Sequence, residues 1–185
     1  MYDFDRKLRL IIFDAIGQIE VALRAQIIYQ YALDHGSHWY LNSQLFKDPG
    51  FNKKKECIDY FQTFQDALSN EIFRNRRDPF ISHYEVHYSS PSSPPCWMGL
   101  EVLSFGSLSK KLYSNLKDND CKRKVADFFN MSPSILESWL NHITVVRNAC
   151  AHHSRLWNNR KLPRISGNSK YYISFQGFKN ICISV

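Results

Sequence analysis

No apolar run in this chain approaches the roughly 18 residues that a membrane-spanning helix needs, so nothing in the sequence reads as a transmembrane segment. No CxxC occurs either. The cysteines, Cys57, Cys96, Cys121, Cys150 and Cys182, are odd in number and widely spread, which argues against a disulfide framework and a thiolate zinc site and fits a reducing cytoplasm. The amino terminus lacks the uninterrupted apolar core of a secretory leader: Asp3, Asp5 and Asp14 interrupt it, and its apolar residues recur at helical spacing. No polybasic cluster adjoins an apolar anchor and no internal repeat is present. With a formal charge of +7 and a pI near 9.2, an anionic partner is expected, nucleic acid ahead of membrane.

What is present is ordinary globular material. The 185 residues are 44% hydrophobic and 22% charged, enough for one substantial core. From Phe4 to about Leu33, the residues Leu8, Ile11, Ile12, Ala15, Ile19, Ala22, Leu23, Ile27 and Ile28 advance by three and four, which predicts one amphipathic helix with these positions inward. Glu20 and Arg24 lie four apart on it, as an exposed ion pair or as a group that orients a site residue. Gly36 is placed to take a left-handed cap. The segment from Ser37 to Gly50 reads as a loop that packs through Trp39, Tyr40 and Phe46.

Asn52 is the expected cap of a second helix running through Cys57, Tyr60, Phe64, Leu68 and Ile72, with Arg74, Arg76 and Arg77 beyond its end. His83 to Pro95 reads as a loop from its Ser/Pro density. Ser93-Pro94 then starts a helix through Trp97, Leu100, Leu103 and Leu108, bent near Gly106. A short helix follows around Lys122 to Phe129. Ser132-Pro133 opens the last one, with Ile135, Leu136, Trp139, Leu140, Ile143, Val146 and Ala149 on its buried side. The expectation is an all-α bundle of about five helices over residues 1–158, followed over 159–185 by an aperiodic tail, either two short strands or irregular.

The far end of that last helix carries the densest chemistry. Arg147-Asn148-Ala149-Cys150-Ala151-His152-His153-Ser154-Arg155-Leu156-Trp157-Asn158 brings together guanidinium, imidazole and amide groups, the set that phosphodiester cleavage uses. On a regular helix each residue turns about 100°, so Arg147 and His152 lie about 140° apart and do not converge on one small group. They converge only if the helix ends or distorts between them, or if a second copy related by a two-fold axis supplies the missing side. A purely structural role is also open: Arg147 bonding helix-end carbonyls, His152 and His153 capping the last turn, and Trp157 in the core. A zinc site from His142, His152 and His153 is disfavoured, since ten residues of helix span about 15 Å and no acidic or thiolate ligand adjoins.

The run from Arg147 to His152 resembles the Arg-x4–6-His motif of HEPN-domain ribonucleases, with Asn148 as the polar residue after the arginine. The longer string RNACAHHSRLWN, the segment PPCWMGLEVLSFGSLSKKLY and the amino-terminal IFDAIGQIEVALRAQI together resemble the Abi-like (AbiD/AbiF type) family of bacterial abortive-infection proteins. Family members continue after the RLWN segment into further helices, so the aperiodic residues 159–185 depart from the pattern. The resemblance implies a HEPN-like bundle and metal-independent cleavage of RNA, without cofactor, by an endoribonuclease of phage defence or a toxin restrained by an RNA or protein antitoxin. It implies Arg147, His152 and Asn148 as catalytic residues, His153, Arg155 and Asn158 as substrate contacts, and a homodimer that shares the site. The rival expectation is a non-catalytic RNA-binding or protein-interaction module on the same fold.

Overall fold

The computed structural model describes residues 2–51 and 55–159. Its α-helices are α1 (Tyr2–His35), α2 (Tyr60–Arg74), α3 (Pro79–His87), α4 (Cys96–Gly99), α5 (Asp120–Phe128) and α6 (Pro133–Ala151), with a π-helical turn over Ser107–Leu112. Strand among the described residues is confined to β1 (Gly50–Phe51) and β2 (Cys57–Ile58), antiparallel with Gly50 opposite Ile58. The chain is therefore all-α, as its periodicity predicts. The strands or irregular tail expected after Asn159 lie outside the described residues.

The fold divides into two compact units. The first comprises residues 2–23 and 123–159 and contains the arginine–histidine segment; the second is Arg24–Lys122.

In the first unit α6 starts as its sequence dictates. Ser132 has the extended backbone of an N-cap and Pro133 sits at the first helical position, where its missing N–H leaves no donor orphaned. Leu136, Leu140 and Ile143 then fall on one buried face. Each such leucine, fully removed from water, contributes about 1.5–3 kcal/mol. Thr144 joins that face and satisfies its hydroxyl by donating to the Leu140 carbonyl at 2.7 Å. The other expected inward residues, Ile135, Trp139, Val146 and Ala149, are half-buried.

Most of the selected positions of α1 turn inward, Leu23 and Ile27 being buried and Leu8, Ile12, Ile19, Ala22 and Ile28 half-buried; two in its first half do not. Ile11 is 70% exposed and Ala15 is exposed, whereas the charged residues Asp5 and Arg9 are buried beside Ile16 and Leu23. The reason is that this half of α1 carries apolar residues on more than one side. Burial goes to the side that holds an ion pair with backbone partners waiting for it, leaving Leu10, Ile11 and Phe13 exposed.

In the second unit Ile27 and Tyr31 continue the buried side of α1, and Tyr31 stacks on Trp39 with ring centroids 4.5 Å apart. Gly36 takes φ +79° and donates to the Ala32 carbonyl at 2.9 Å, the expected left-handed helix end. Trp39, Tyr40 and Phe46 are buried, as expected of a loop that packs. Three local expectations change here. Asn52 lies outside the described residues, and the cap of α2 is Asp59, whose Oδ1 accepts from the Gln62 amide at 2.9 Å; Cys57 pairs in β2 instead of entering the helix. His83–His87 is helical, because Asp78-Pro79 starts α3 ahead of the Ser/Pro-rich residues. The helix expected from Ser93-Pro94 to Leu108 is broken, with α4 capped at Pro95 and ending at Gly99 before the chain rewinds toward the π-helical turn. The cations around the end of α2 are locally engaged: Arg74 pairs with Glu71 at 3.2 Å and Arg76 lies over the Phe73 ring. Arg24 is likewise occupied, donating to the Leu103 carbonyl at 3.0 Å.

Candidate active site

The candidate site is built on the end of α6. His152 is the residue after the last helical one, with φ −90° and ψ 15°, and His153 follows with φ +53°. The His153 amide donates to the Cys150 carbonyl at 3.1 Å and the Ser154 amide to the Ala149 carbonyl at 2.8 Å. These two bonds, crossing a left-handed residue, are the Schellman arrangement that commonly closes a helix. It is made here with histidine where glycine is the usual occupant. His152 still donates to the Asn148 carbonyl at 3.0 Å, an ordinary helical bond, so α6 keeps its register from Arg147 to His152 and a second copy remains the route by which the two would converge.

Four residues of α1 meet this segment. Oδ1 of Asp5 accepts from two consecutive backbone amides, Leu156 at 3.0 Å and Trp157 at 2.8 Å, while Oδ2 is held by Arg9. The same Arg9 nitrogen reaches the Ser154 carbonyl at 3.5 Å. Phe4 meets Trp157 edge to face with centroids 5.4 Å apart, and the Arg147 guanidinium lies 5.8 Å from the centre of the Phe13 ring. Positions 5, 9 and 13 recur every fourth residue, so one side of α1 lies against the arginine and the loop that follows the histidines. Spacing alone marks Asp5 and Arg9 only as an ordinary helical ion pair. Their burial, at 4% and 6% exposure, and the two amides they hold are what distinguish them.

The sequence-selected residues separate into two groups. Arg147 is half-buried, while Asn148, His152, His153, Arg155 and Asn158 are exposed. Among the described residues the side chains of Arg147, His152 and His153 make no hydrogen bond or ion pair. Of the structural roles open from sequence one is seen and one is not: His152 and His153 cap the last turn of α6 through their backbone amides, whereas Arg147 bonds no described carbonyl. Trp157, expected in the core, is 52% exposed; the neighbouring Leu156 is the buried anchor, because the amide pair held by Asp5 fixes which side chain turns inward. Asn158 is the second left-handed residue of this segment, with φ +53°.

The electrostatics follow from these contacts. The Trp157 amide, with smaller contributions from the Leu156 amide and from Arg9, holds the Asp5 carboxyl below the usual carboxylate range against the opposing effect of burial. Burial pushes the Cys150 thiol up, so it stays protonated and is no candidate nucleophile. His142 is half-buried, its Nδ1 has no partner among the described residues, and burial lowers its pKa. No group of three or more His, Cys, Asp or Glu side chains suited to a metal ion occurs among the described residues.

Two expected outcomes arise here. A left-handed residue with a Cβ costs about 1–2 kcal/mol, part of which a glycine returns through its freer unfolded chain. His153→Gly therefore stabilises the fold by roughly 1 kcal/mol in urea unfolding, although it removes an imidazole from the site. The second concerns acid. Because the Asp5 carboxyl titrates lower in the folded than in the unfolded chain, its stabilisation is complete above the unfolded value, near pH 4, and fades as pH falls through the folded one. Asp5→Asn removes that component, so the melting temperature of the variant changes less with pH than that of the native chain below about pH 4.

This basic, all-α chain thus gathers an arginine, an asparagine and two exposed histidines around one helix end. The chain belongs to the Abi-like protein family, whose description matches residues 1–158 and whose name denotes abortive-infection-type function. No curated protein and no solved structure matches it. Among the described residues no helix is long and apolar enough to cross a membrane.

Proposed function

We propose that this chain is a metal-independent, HEPN-type endoribonuclease of phage defence, or the toxin of a toxin–antitoxin pair, with residues 1–158 as its working unit. The observation that carries the reading is how α6 closes, with His152 as its cap and His153 in a left-handed turn. It leaves two exposed imidazoles and a guanidinium, none hydrogen-bonded to a described residue, along one short segment.

Cleavage begins when a base takes the proton of the 2′-hydroxyl and its oxygen attacks the adjacent phosphorus. The phosphorus–5′-oxygen bond then breaks, and an acid supplies a proton to the departing oxygen. The products are a 2′,3′-cyclic phosphate and a free 5′-hydroxyl. An imidazole can accept a proton in one step and donate one in the other, so His152 takes acid–base duty. Arg147 offers a permanent planar charge to the phosphorane oxygens. Asn148 orients a phosphate or hydroxyl through its amide, and His153, Arg155 and Asn158 contact the substrate. A homodimer places two such segments in one cleft. Leu10, Ile11 and Phe13, the last of these beside Arg147, give a second copy apolar surface to cover.

The test is incubation of the purified protein with RNA in excess EDTA. Scission that leaves cyclic phosphate ends, spares DNA of the same sequence and comes from a particle of twice the chain mass supports the reading. Binding without scission rejects it in favour of an RNA-docking module. An antidote, whether RNA or protein, reveals itself by restoring growth when co-expressed with the chain.

A further inference from the structure

We propose that the buried Asp5–Arg9 pair is the positioning element of this site: it latches the loop after His152 and His153 to α1 and so holds the backbone from which both imidazoles project. The catalytic consequence rests on the ribonuclease reading, whereas the latch itself does not.

Three observations carry it. First, Asp5 and Arg9 are almost wholly out of water, where an ion pair is a poor source of net stability compared with apolar residues of similar volume. A pair retained there is better explained by what it orders. Second, the pair orders a specific backbone: Asp5 Oδ1 accepts from Leu156 and Trp157, and Arg9 reaches the Ser154 carbonyl. These attachments begin one residue after His153. Third, His153 is held in a left-handed conformation that a histidine adopts only when its surroundings impose it. The Schellman bonds fix the turn on the helix side, and the latch fixes it on the loop side. Releasing the loop leaves one side anchored, and the imidazoles then sample many directions, which weakens catalysis that depends on alignment.

The decisive variant is Asp5→Leu with Arg9→Met, which removes both charges and keeps an apolar filling, so that the helical body persists. In the full chain we expect the Leu156 and Trp157 amide protons to exchange at least tenfold faster, while that of Leu140 in α6 is unchanged. The kcat on RNA falls about tenfold with KM within about threefold, since alignment and not affinity is impaired. Asp5→Asn with Arg9→Met keeps a side-chain oxygen for the two amides without leaving a lone buried charge, and restores both readouts toward native values. Trp157→Pro deletes one donor from the exposed side of the loop and serves as the second route should the Leu/Met variant fail to fold; it too speeds exchange at Leu156 and lowers kcat. Native protection of these amides in the Leu/Met variant, or weakened protection with native kcat, overturns the proposal. If the native chain binds RNA without cutting it, the ribonuclease reading fails instead, and amide exchange alone then decides whether the latch exists.

Discussion

If the chain is the proposed ribonuclease, His152→Ala is expected to leave RNA cleavage at about one-thousandth of the native rate, within the hundred- to ten-thousandfold range that a positioned acid–base group contributes. The fold is expected to survive, because the contribution of His152 to the helix end is made by its backbone: its amide donates to the Asn148 carbonyl at 3.0 Å, a bond that alanine keeps. An exposed imidazole with no hydrogen-bonded partner among the described residues contributes little to packing. Thermal unfolding of the variant within about 2 °C of native, alongside abolished cleavage, separates chemistry from stability. His152→Gln sharpens the comparison, since an amide hydrogen-bonds but does not transfer a proton near neutrality. If glutamine restores the rate, the role of His152 is contact and not proton transfer. Cleavage that persists unchanged in the alanine variant ends the assignment of His152.

The parts of this fold that were legible in the sequence are those whose cause is local. Ser132-Pro133 and the Leu136, Leu140, Ile143 spacing specify α6 within one segment, and Gly36 marks the end of α1 because a left-handed residue is needed there. The Ser/Pro-rich stretch after His87 hid the helix before it, since Asp78-Pro79 is an equally good start signal and lies just upstream. The inward face of α1 was legible except in its first half, where Ile11 and Ala15 are exposed and Asp5 and Arg9 are buried. Two sides of that helix are apolar at its amino-terminal half, and the choice between them is made by Leu156 and Trp157, about 150 residues away in the chain. For the same reason an Asp–Arg pair at i,i+4 spacing reads as surface decoration until its partners are seen. The arginine–histidine segment stood out through the density of its chemistry, but the left-handed His153 and the inversion of Leu156 and Trp157 are tertiary outcomes.

Arg147→Ala is expected to lower kcat by one hundred- to one thousandfold, the loss typical of removing one donor that stabilises developing negative charge. Its guanidinium sits 5.8 Å from the centre of the Phe13 ring, and no described group accepts from its donors. That contact contributes about 0.5–1 kcal/mol at a partly exposed site, so the variant still folds and the catalytic loss dominates. Phe13 takes no hydrogen bond from the cation, so the N–H groups of Arg147 remain available to a phosphate. Arg147→Lys keeps the charge but not the fork, and its rate is expected to fall between native and alanine. The dependence of binding on salt distinguishes a phosphate-binding arginine from a structural one: removing a cation that pairs with one phosphate reduces the slope of log affinity against log salt by about one. If the alanine variant binds RNA with the native slope and cleaves it at the native rate, Arg147 touches no phosphate. Its place over Phe13 is then a matter of folding alone.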